Sequence, residues 1–277
     1  MSVKSRSLSP TEAALFEVGG PRTKRRIAVG TAVAVAVLLA LLAWVVYRLY
    51  INGQFAPMYW SLFGDPKVWG FLGMGLIGTL RAAFGAGAIG LVCGLVLMFG
   101  RMSGVAPIRW LCTAVIEFVR GTPTLLFIYF FFLVPAQFGI HMSTYWMVVI
   151  PVASYASAVL AEVFRSGVEA VPIGQKEAAL SLGLTRWQMY QSVVLPQMFR
   201  IVVPTMVAQL VVVVKDTTFG YVVTYPEMMQ NTKVLIANYN SLLPVYLVTS
   251  IIYVLINYAI SWFARWLSDR LGLDFEV

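Results

Sequence analysis

The sequence predicts an all-α, polytopic membrane protein with about six transmembrane helices. The chain is 60% hydrophobic and only 12% charged, whereas soluble domains contain about a quarter charged residues. The apolar residues fall in continuous runs of about 20 residues, the length that an α-helix needs to cross a bilayer. These runs do not alternate between apolar and polar residues, which disfavours a transmembrane β-barrel.

Six runs are long enough to span a membrane, and they cover roughly residues 27–47, 71–99, 110–135, 144–164, 198–223 and 243–264. The segment 1–26 before them is polar and charged, so we expect a flexible cytoplasmic tail. We interpret residues 27–50 as a retained anchor helix, because the run is long and lacks a small-residue cleavage site at its end. The remaining spans, within residues 68–270, are expected to form one transmembrane domain.

Basic residues predict how the chain is oriented in the membrane. Of the 20 Lys and Arg residues, only Arg48, Lys67 and Lys233 fall in loops on the side opposite the N-terminus. Since loops rich in Lys and Arg stay in the cytoplasm, both termini are expected there. The net charge of +8 is therefore explained by topology, and binding of nucleic acid is disfavoured.

The second span combines a stripe of small residues with a charge. Ala82, Ala86, Gly90 and Gly94 recur every four residues and predict close packing against a neighbouring helix. Arg81 lies next to the stripe, inside the span, where a charge needs a partner or water. A functional and a structural role are both open for this arginine.

The third span contains an ionisable pair beside a helix-breaking sequence. Glu117 and Arg120 are three residues apart and can pair along a helix face. Gly121 and Pro123 interrupt helical regularity and free backbone groups, with Thr122 between them. Such a break is a common way to build a polar site in a membrane. A self-contained salt bridge at the cytoplasmic end of the span is the alternative.

The fifth span ends in the strongest intramembrane polar cluster of the chain, Lys215-Asp216-Thr217-Thr218. Adjacent side chains on a helix point about 100° apart, so Lys215 and Asp216 are not expected to face each other. Ionisable groups inside a membrane usually mark a substrate or ion pathway.

A polar helical hairpin lies between the fourth and fifth spans. Pro172 suits the first turn of a helix and Gly183 suits its end, which predicts a first helix of about 11 residues. Thr185 and Gln188 form the pattern of a capping box for a second helix. Pro196 is expected to end that helix before the fifth span begins.

This hairpin, residues 166–196, carries more apolar surface than a solvated linker would. The short side chains of Ala178 and Ala179 are expected to let a partner approach closely. The hairpin is therefore predicted to bind a soluble partner.

The hairpin resembles the EAA loop of ABC importer permeases, E-A-A-x3-G-x9-I-x-L-P. The matching residues are Glu177, Ala178, Ala179, Gly183, Leu195 and Pro196, and only Val193 departs from the pattern, in place of Ile. Further motifs resemble the polar amino-acid permeases of the histidine, glutamine and glutamate type: Arg120-Gly121-Thr122-Pro123, Glu162-Val163-Phe164-Arg165, Pro172-Ile173-Gly174-Gln175 and Lys215-Asp216-Thr217. The resemblance covers about residues 68–270. The additional first span departs from the common five-span pattern and is similar to subunits of glutamate systems.

The resemblance implies a type I ABC importer permease in a bacterial inner or plasma membrane, importing a polar amino acid such as glutamate or a related acidic or amide amino acid. Two permease subunits, identical or related, would form the pore, two ATPase subunits would dock on the hairpins, and an extracellular solute-binding protein would deliver the substrate. The implied ATPase-coupling residues are Glu177, Ala178, Ala179, Gly183, Leu195 and Pro196. The candidate substrate-pathway residues are Arg81, Glu117, Arg120, Thr122, Lys215, Asp216, Thr217 and Thr218.

The chain has no G-x4-G-K-[ST] phosphate loop, so ATP and magnesium are expected to be used by the partner ATPase. No catalytic residue, cofactor or metal site is expected, since two cysteines and one histidine are too few for an ordinary metal site.

Two alternatives are a secondary transporter driven by an ion gradient and a permease for another small polar solute. A secondary transporter would show matched repeats with helix breaks in both halves, which the sequence does not clearly contain. A membrane scaffold without transport is a third alternative, although it would not need Lys215 and Asp216 in a span.

Overall fold

The computed structural model describes residues 20–270, and the regular structure in this range is helical. The chain divides into two compact units, Met1–Pro57 and Met58–Val277. Most of the predicted tail, residues 1–19, lies outside the described residues. The first helix, α1, spans Pro21–Ile51, so it begins within the segment predicted as tail. Proline suits the first turn of a helix, because the N–H that it lacks has no partner there.

Helix α1 has the character of a lipid-facing span. Its apolar side chains, among them Leu38 and Leu41, are exposed. Near its end, the Arg48 guanidinium carbon lies 6.0 Å from the centre of the Trp44 ring. Aromatic and basic residues of this kind are enriched where a helix leaves the hydrocarbon region.

The remaining α-helices of the described residues follow in chain order: α2 (Pro57–Trp60), α3 (Pro66–Arg101), α4 (Ala106–Gly121), α5 (Thr124–Gln137), α6 (Thr144–Ala170), α7 (Ile173–Ser181), α8 (Arg186–Met189), α9 (Leu195–Asp216), α10 (Met228–Tyr239) and α11 (Leu242–Arg270). Short 3-10 helices follow α2 at Ser61–Gly64 and α9 at Thr217–Val223. Within residues 20–270, five helices are long and apolar enough to cross a membrane, and the pair α4–α5 supplies a sixth if it counts as one span. The prediction of about six spans is confirmed.

Helices α3 and α6 form the centre of the second unit. The stripe of Ala82, Ala86, Gly90 and Gly94 is buried. A β-carbon added at Gly90 would lie 2.8 Å from the β-carbon of Ala156, so the two backbones approach as closely as small residues allow. The predicted packing role of the stripe is confirmed.

The third predicted span, residues 110–135, is not one continuous helix. It consists of α4 and α5, which meet at an angle of 100°. Thr122 between them is extended, with φ −102° and ψ 129°, because the ring of Pro123 disfavours helical geometry at the preceding residue. The break was predicted, but the size of the bend was not.

The prediction that Pro196 ends the second hairpin helix is wrong. The chain stays helical from Arg186 to Val223, through a wide turn at Tyr190–Val194 in which the Leu195 N–H bonds to the Tyr190 carbonyl. The wide turn changes the hydrogen-bond pattern of the helix just before Pro196. Pro196 then lies in the first turn of the following helical segment, where the N–H that proline lacks has no partner to lose. The hairpin is therefore directly continuous with the fifth span.

Candidate functional site

The hairpin is built around a sharp turn after α7. The Gly183 N–H donates to the Leu180 carbonyl at 3.0 Å, and the Leu184 N–H donates to the Ala179 carbonyl at 3.2 Å. These two bonds form a Schellman motif, which needs a left-handed residue after the helix. Gly183 has φ +81°, and glycine adopts this conformation without the steric cost that a β-carbon brings.

The second arm of the hairpin starts at the predicted capping box. The Thr185 side chain accepts from the Gln188 N–H, and the Gln188 side chain accepts from the Thr185 N–H. The first arm, α7, is nine residues long, somewhat shorter than predicted, because Pro172 precedes the helix as its cap instead of forming its first turn. The turn and the capping box are both confirmed.

The hairpin residues of the EAA pattern divide between its two faces. The exposed ones are Glu177, Ala178, Gly183 and Pro196. Ala179, expected to face a partner, is buried at 4% exposure, and Leu195 is half-buried. Both side chains pack against the core of the membrane helices, so Ala179 is closed to direct contact with a partner and Leu195 is only partly accessible.

Large apolar side chains cover the outer face of the hairpin. Ile173 is 72% exposed, Leu182 83% and Trp187 57%. Glu177 is also exposed, so the hairpin presents both apolar side chains and a carboxylate. Contiguous exposed apolar surface of this kind marks a site of protein association.

The inner face of the hairpin belongs to the core of the membrane helices. Ala179 lies in one buried cluster with Met98 of α3, Phe164 of α6 and Met198 of α9. The Lys176 ammonium donates to the Val168 carbonyl at 2.8 Å and ties α7 back to α6. The hairpin and these three membrane helices therefore share one close-packed core.

An ion-pair network joins the ends of α3, α4 and α6 beside the hairpin. Arg101 pairs with Glu162 and, at 3.3 Å, with Glu117. Arg165 also pairs with Glu162, at 3.1 Å. Glu117 lies 3.9 Å from Arg120, so the predicted Glu117–Arg120 pair forms, but the shorter contact of Glu117 is to Arg101. Arg120 is held loosely and can interact with another group.

A polar cleft lies where α4 and α5 break. Its volume is about 310 Å³, and Arg120, Thr122, Thr124, Tyr155 and Asp216 contribute to its lining. The Thr124 hydroxyl donates to the Asp216 carboxylate at 3.3 Å. The fold therefore brings together parts of the two predicted polar segments that are distant in sequence.

The sequence analysis did not predict two polar residues of this cleft, Thr124 and Tyr155. Thr124 directly follows Pro123 and begins α5, so the break itself could have indicated it. Tyr155 carries no signal in the sequence, because its place in the cleft depends on how α6 packs against α9.

The cleft presents both signs of charge. No side chain caps the first turn of α5, and the free N–H groups of a helix N-terminus attract anions. Arg120 adds a full positive charge near this end, and Asp216 supplies a carboxylate. The arrangement can bind a molecule that carries an anionic and a cationic group.

Lys215, Thr217 and Thr218, the other three residues of the predicted cluster, do not line the cleft. Lys215 is exposed, and within residues 20–270 it forms no salt bridge. Thr217 is fully buried and donates to the Val214 carbonyl, and Thr218 donates to the Lys215 carbonyl. Of the four predicted residues, Asp216 lines the cleft, and the expected lack of a direct Lys215–Asp216 pair is confirmed.

Arg81 does not line this cleft. It is exposed, and its guanidinium carbon lies 5.2 Å from the centre of the Tyr145 ring at the start of α6. A cation over an aromatic ring is stabilised by about 0.5–1 kcal/mol at an exposed site, which is weak enough for an anion to displace.

A buried carboxylate that sequence reasoning missed holds α10 in place. Glu227 is fully buried and accepts from the N–H groups of Met229 and Gln230, at 2.8 and 2.6 Å, and from the Tyr253 hydroxyl at 3.1 Å. Gly78 of α3 meets the turn before α10 so closely that a β-carbon there would collide with the Pro226 carbonyl. A glutamate before a helix start is a capping signal, but its burial follows from the packing of α3, α10 and α11.

Among residues 20–270, no group of three or more His, Cys, Asp or Glu side chains could hold a metal ion.

Comparison with known proteins identifies the family. Residues 86–273 match the family described as "Binding-protein-dependent transport system inner membrane component". The chain belongs to this family. The permease is 31% identical over 224 residues to the glutamate transport system permease protein GluD of Corynebacterium glutamicum, covering 79% of this chain and 82% of that protein. It is 32% identical over 203 residues to the probable glutamine ABC transporter permease protein GlnP of Bacillus subtilis. This alignment covers 72% of this chain and 93% of that protein.

A solved structure shares the fold of the permease. The structure described as "Crystal structure of an amino acid ABC transporter with histidines" aligns with a TM-score of 0.70 and 28% identity, covering 74% of this chain and 95% of that chain. The predicted resemblance to permeases of the polar amino-acid branch and the predicted type I importer fold are confirmed.

Proposed function

We propose that this permease forms one half of the translocation pore of an ATP-driven importer for a polar amino acid, with glutamate or a related acidic or amide amino acid as substrate. Its similarity to permeases named for glutamate and glutamine transport supports this substrate class. The hairpin is the observation that carries the proposal, because one of its faces is exposed and apolar and the other is part of the membrane core.

The hairpin couples the pore to a separate ATPase subunit in the cytoplasm. The outer face, with Glu177, Leu182 and Trp187, docks on the ATPase. When ATP draws the ATPase subunits together, the hairpin moves, and the shared core around Ala179 carries the motion to α3, α6 and α9. The pore then alternates between outward-open and inward-open states. A second permease subunit and an extracellular binding protein complete the complex.

The cleft at the α4–α5 break is the proposed passage site for the substrate. Asp216 attracts the α-ammonium group, and Arg120 together with the N-terminus of α5 attracts a carboxylate. A secondary transporter would also place polar groups at a helix break, but it would not need the hairpin.

The coupling role is tested with Gly183→Val. A β-carbon at φ +81° costs about 1–2 kcal/mol and changes the path of the chain between α7 and α8. We expect substrate-stimulated ATPase activity of the reconstituted complex to fall severalfold, while the complex still assembles. Gly70→Val is the control, because a β-carbon at Gly70 also meets open space but needs no left-handed backbone. Unchanged stimulation in the Gly183 variant contradicts the coupling role.

The passage site is tested separately with Asp216→Asn, which keeps the shape but removes the charge. Loss of a charge partner in a semi-buried site costs about 2–5 kcal/mol, so amino-acid uptake should fall at least tenfold while basal ATPase activity persists. Thr218→Val is the matched control, because that hydroxyl bonds within its own helix. Normal uptake by the Asp216 variant would remove this residue from the pathway but leave the coupling role intact.

A further inference from the structure

A second polar cleft lies on the hairpin side of the membrane helices, apart from the proposed passage site. Its volume is about 540 Å³, and three arginines contribute to its lining: Arg101 at the end of α3, Arg109 in the first turn of α4, and Arg165 near the end of α6. Thr113 adds a hydroxyl and Glu169 a carboxylate. The cleft therefore concentrates guanidinium groups where three membrane helices end.

The three arginines of this cleft differ in their pairing. Arg101 pairs with Glu117 and Glu162, and Arg165 pairs with Glu162 and Glu169. Arg109 forms no salt bridge in the described part of the chain; it donates to the Ser103 carbonyl at 3.3 Å. Its remaining N–H groups are available to an anion, and a guanidinium fits the oxygens of a phosphate particularly well.

The surface next to the cleft is apolar and faces outward. Trp110 is 74% exposed, Leu111 67% and Ile108 46%, and all three lie on α4 beside Arg109. A tryptophan next to a basic residue at a helix end is the usual pattern where a membrane protein meets lipid headgroups. A free phosphate would use the arginines but would leave this apolar surface uncovered.

We infer that this cleft binds the headgroup of an anionic phospholipid, with the phosphate at Arg109 and the acyl chains along the exposed face of α4. Basic pockets between membrane helices on the cytoplasmic side recognise such headgroups, and Arg109 is the arginine of this cleft that pairs with no carboxylate of residues 20–270. The bound lipid bridges α3, α4 and α6 next to the hairpin and stabilises their arrangement.

The test measures lipid binding to the full chain, purified in a neutral detergent, by native mass spectrometry. Phosphatidylglycerol and phosphatidylcholine with identical acyl chains are compared, and inorganic phosphate is added as a competitor in a separate series. We expect phosphatidylglycerol to bind about tenfold more tightly than phosphatidylcholine. Arg109→Gln should weaken phosphatidylglycerol binding about fivefold, the effect of one basic group near a membrane surface.

Arg200→Gln is the matched control, since Arg200 is an exposed arginine near the start of α9 that does not line the cleft. Thr113→Val tests the cleft without changing its charge and should also weaken binding. Equal binding of the two lipids overturns the proposal. So does equal weakening of phosphatidylglycerol binding by Arg109→Gln and Arg200→Gln, because it would indicate nonspecific attraction of anionic lipid to basic residues. Complete displacement by inorganic phosphate at equimolar concentration would show an anion site that does not select lipid.

Discussion

Replacing Glu227 should reveal how strongly α10 depends on one buried carboxylate. Glu227→Ala leaves the N–H groups of Met229 and Gln230 and the hydroxyl of Tyr253 without their acceptor in a buried site. Each unsatisfied buried donor costs about 1–3 kcal/mol, part of which relaxation recovers, so we expect a loss of about 2–5 kcal/mol in the free energy of unfolding.

The assay is reversible unfolding of the full chain in mixed micelles, with Glu177→Ala as the control, because Glu177 is exposed on the hairpin. Glu227→Gln should lose less stability than Glu227→Ala, since the amide keeps the shape and one acceptor oxygen. An ordinary surface substitution changes the free energy of unfolding by about 0.5 kcal/mol or less. If the free energy of unfolding of Glu227→Ala lies within that range of the unmodified chain, the reasoning is refuted.

The same carboxylate predicts a pH dependence. Burial raises the pKa of Glu227 from 4.5 to about 7, although the hydrogen bonds from Met229, Gln230 and Tyr253 act in the opposite direction. The folded chain therefore keeps a proton that the unfolded chain releases between these two values. The contribution of Glu227 to the free energy of unfolding is therefore fully present below pH 4.5. It is lost as the pH rises through about 7, and the total loss is about 3 kcal/mol. Glu227→Gln should abolish this dependence, whereas its persistence in that variant would assign it to another group.

Three further predictions concern topology, the first helix and Arg81. In intact cells, labelling from outside should reach Lys67→Cys and Lys233→Cys but not Arg186→Cys, because basic loops stay in the cytoplasm; the reverse pattern would overturn the orientation. Deletion of residues 1–50 should leave a complex that still assembles, and complete loss of assembly would make the first helix part of the core. Arg81→Ala should reduce uptake of an acidic or amide amino acid, because the guanidinium is expected to bind a substrate carboxylate; losing such a charge partner costs about 2–5 kcal/mol. Assembly and basal ATPase activity should not change. Normal uptake would remove Arg81 from the pathway.

Much of the hairpin could be predicted from sequence, because its signals act over a few residues. The left-handed turn at Gly183 and the capping box of Thr185 and Gln188 are local hydrogen-bond patterns, and both are present in the structure. Pro123 likewise predicts a helix break, since its ring restricts the residue before it. The number of spans follows from the lengths of the apolar runs.

The cleft was only half predictable. Arg120, Thr122 and Asp216 stand out as polar residues inside apolar runs, and membrane burial makes such residues conspicuous. Nothing in the sequence indicates that α4 and α5 meet at 100° or that Tyr155 faces the same cleft as Asp216. These positions depend on how distant helices pack, and a single sequence does not encode that geometry in any local pattern.

The sequence by itself determined where helices form and where they break, since propensity, proline geometry and glycine conformation are properties of neighbouring residues. Only the tertiary structure decided which way the side chains face. It turned Ala179 into the core, placed Tyr155 and Asp216 in one cleft, and buried Glu227 against α3 and α11. The physical reason is that burial is a property of contacts between segments, and those contacts exist only once the helices have packed.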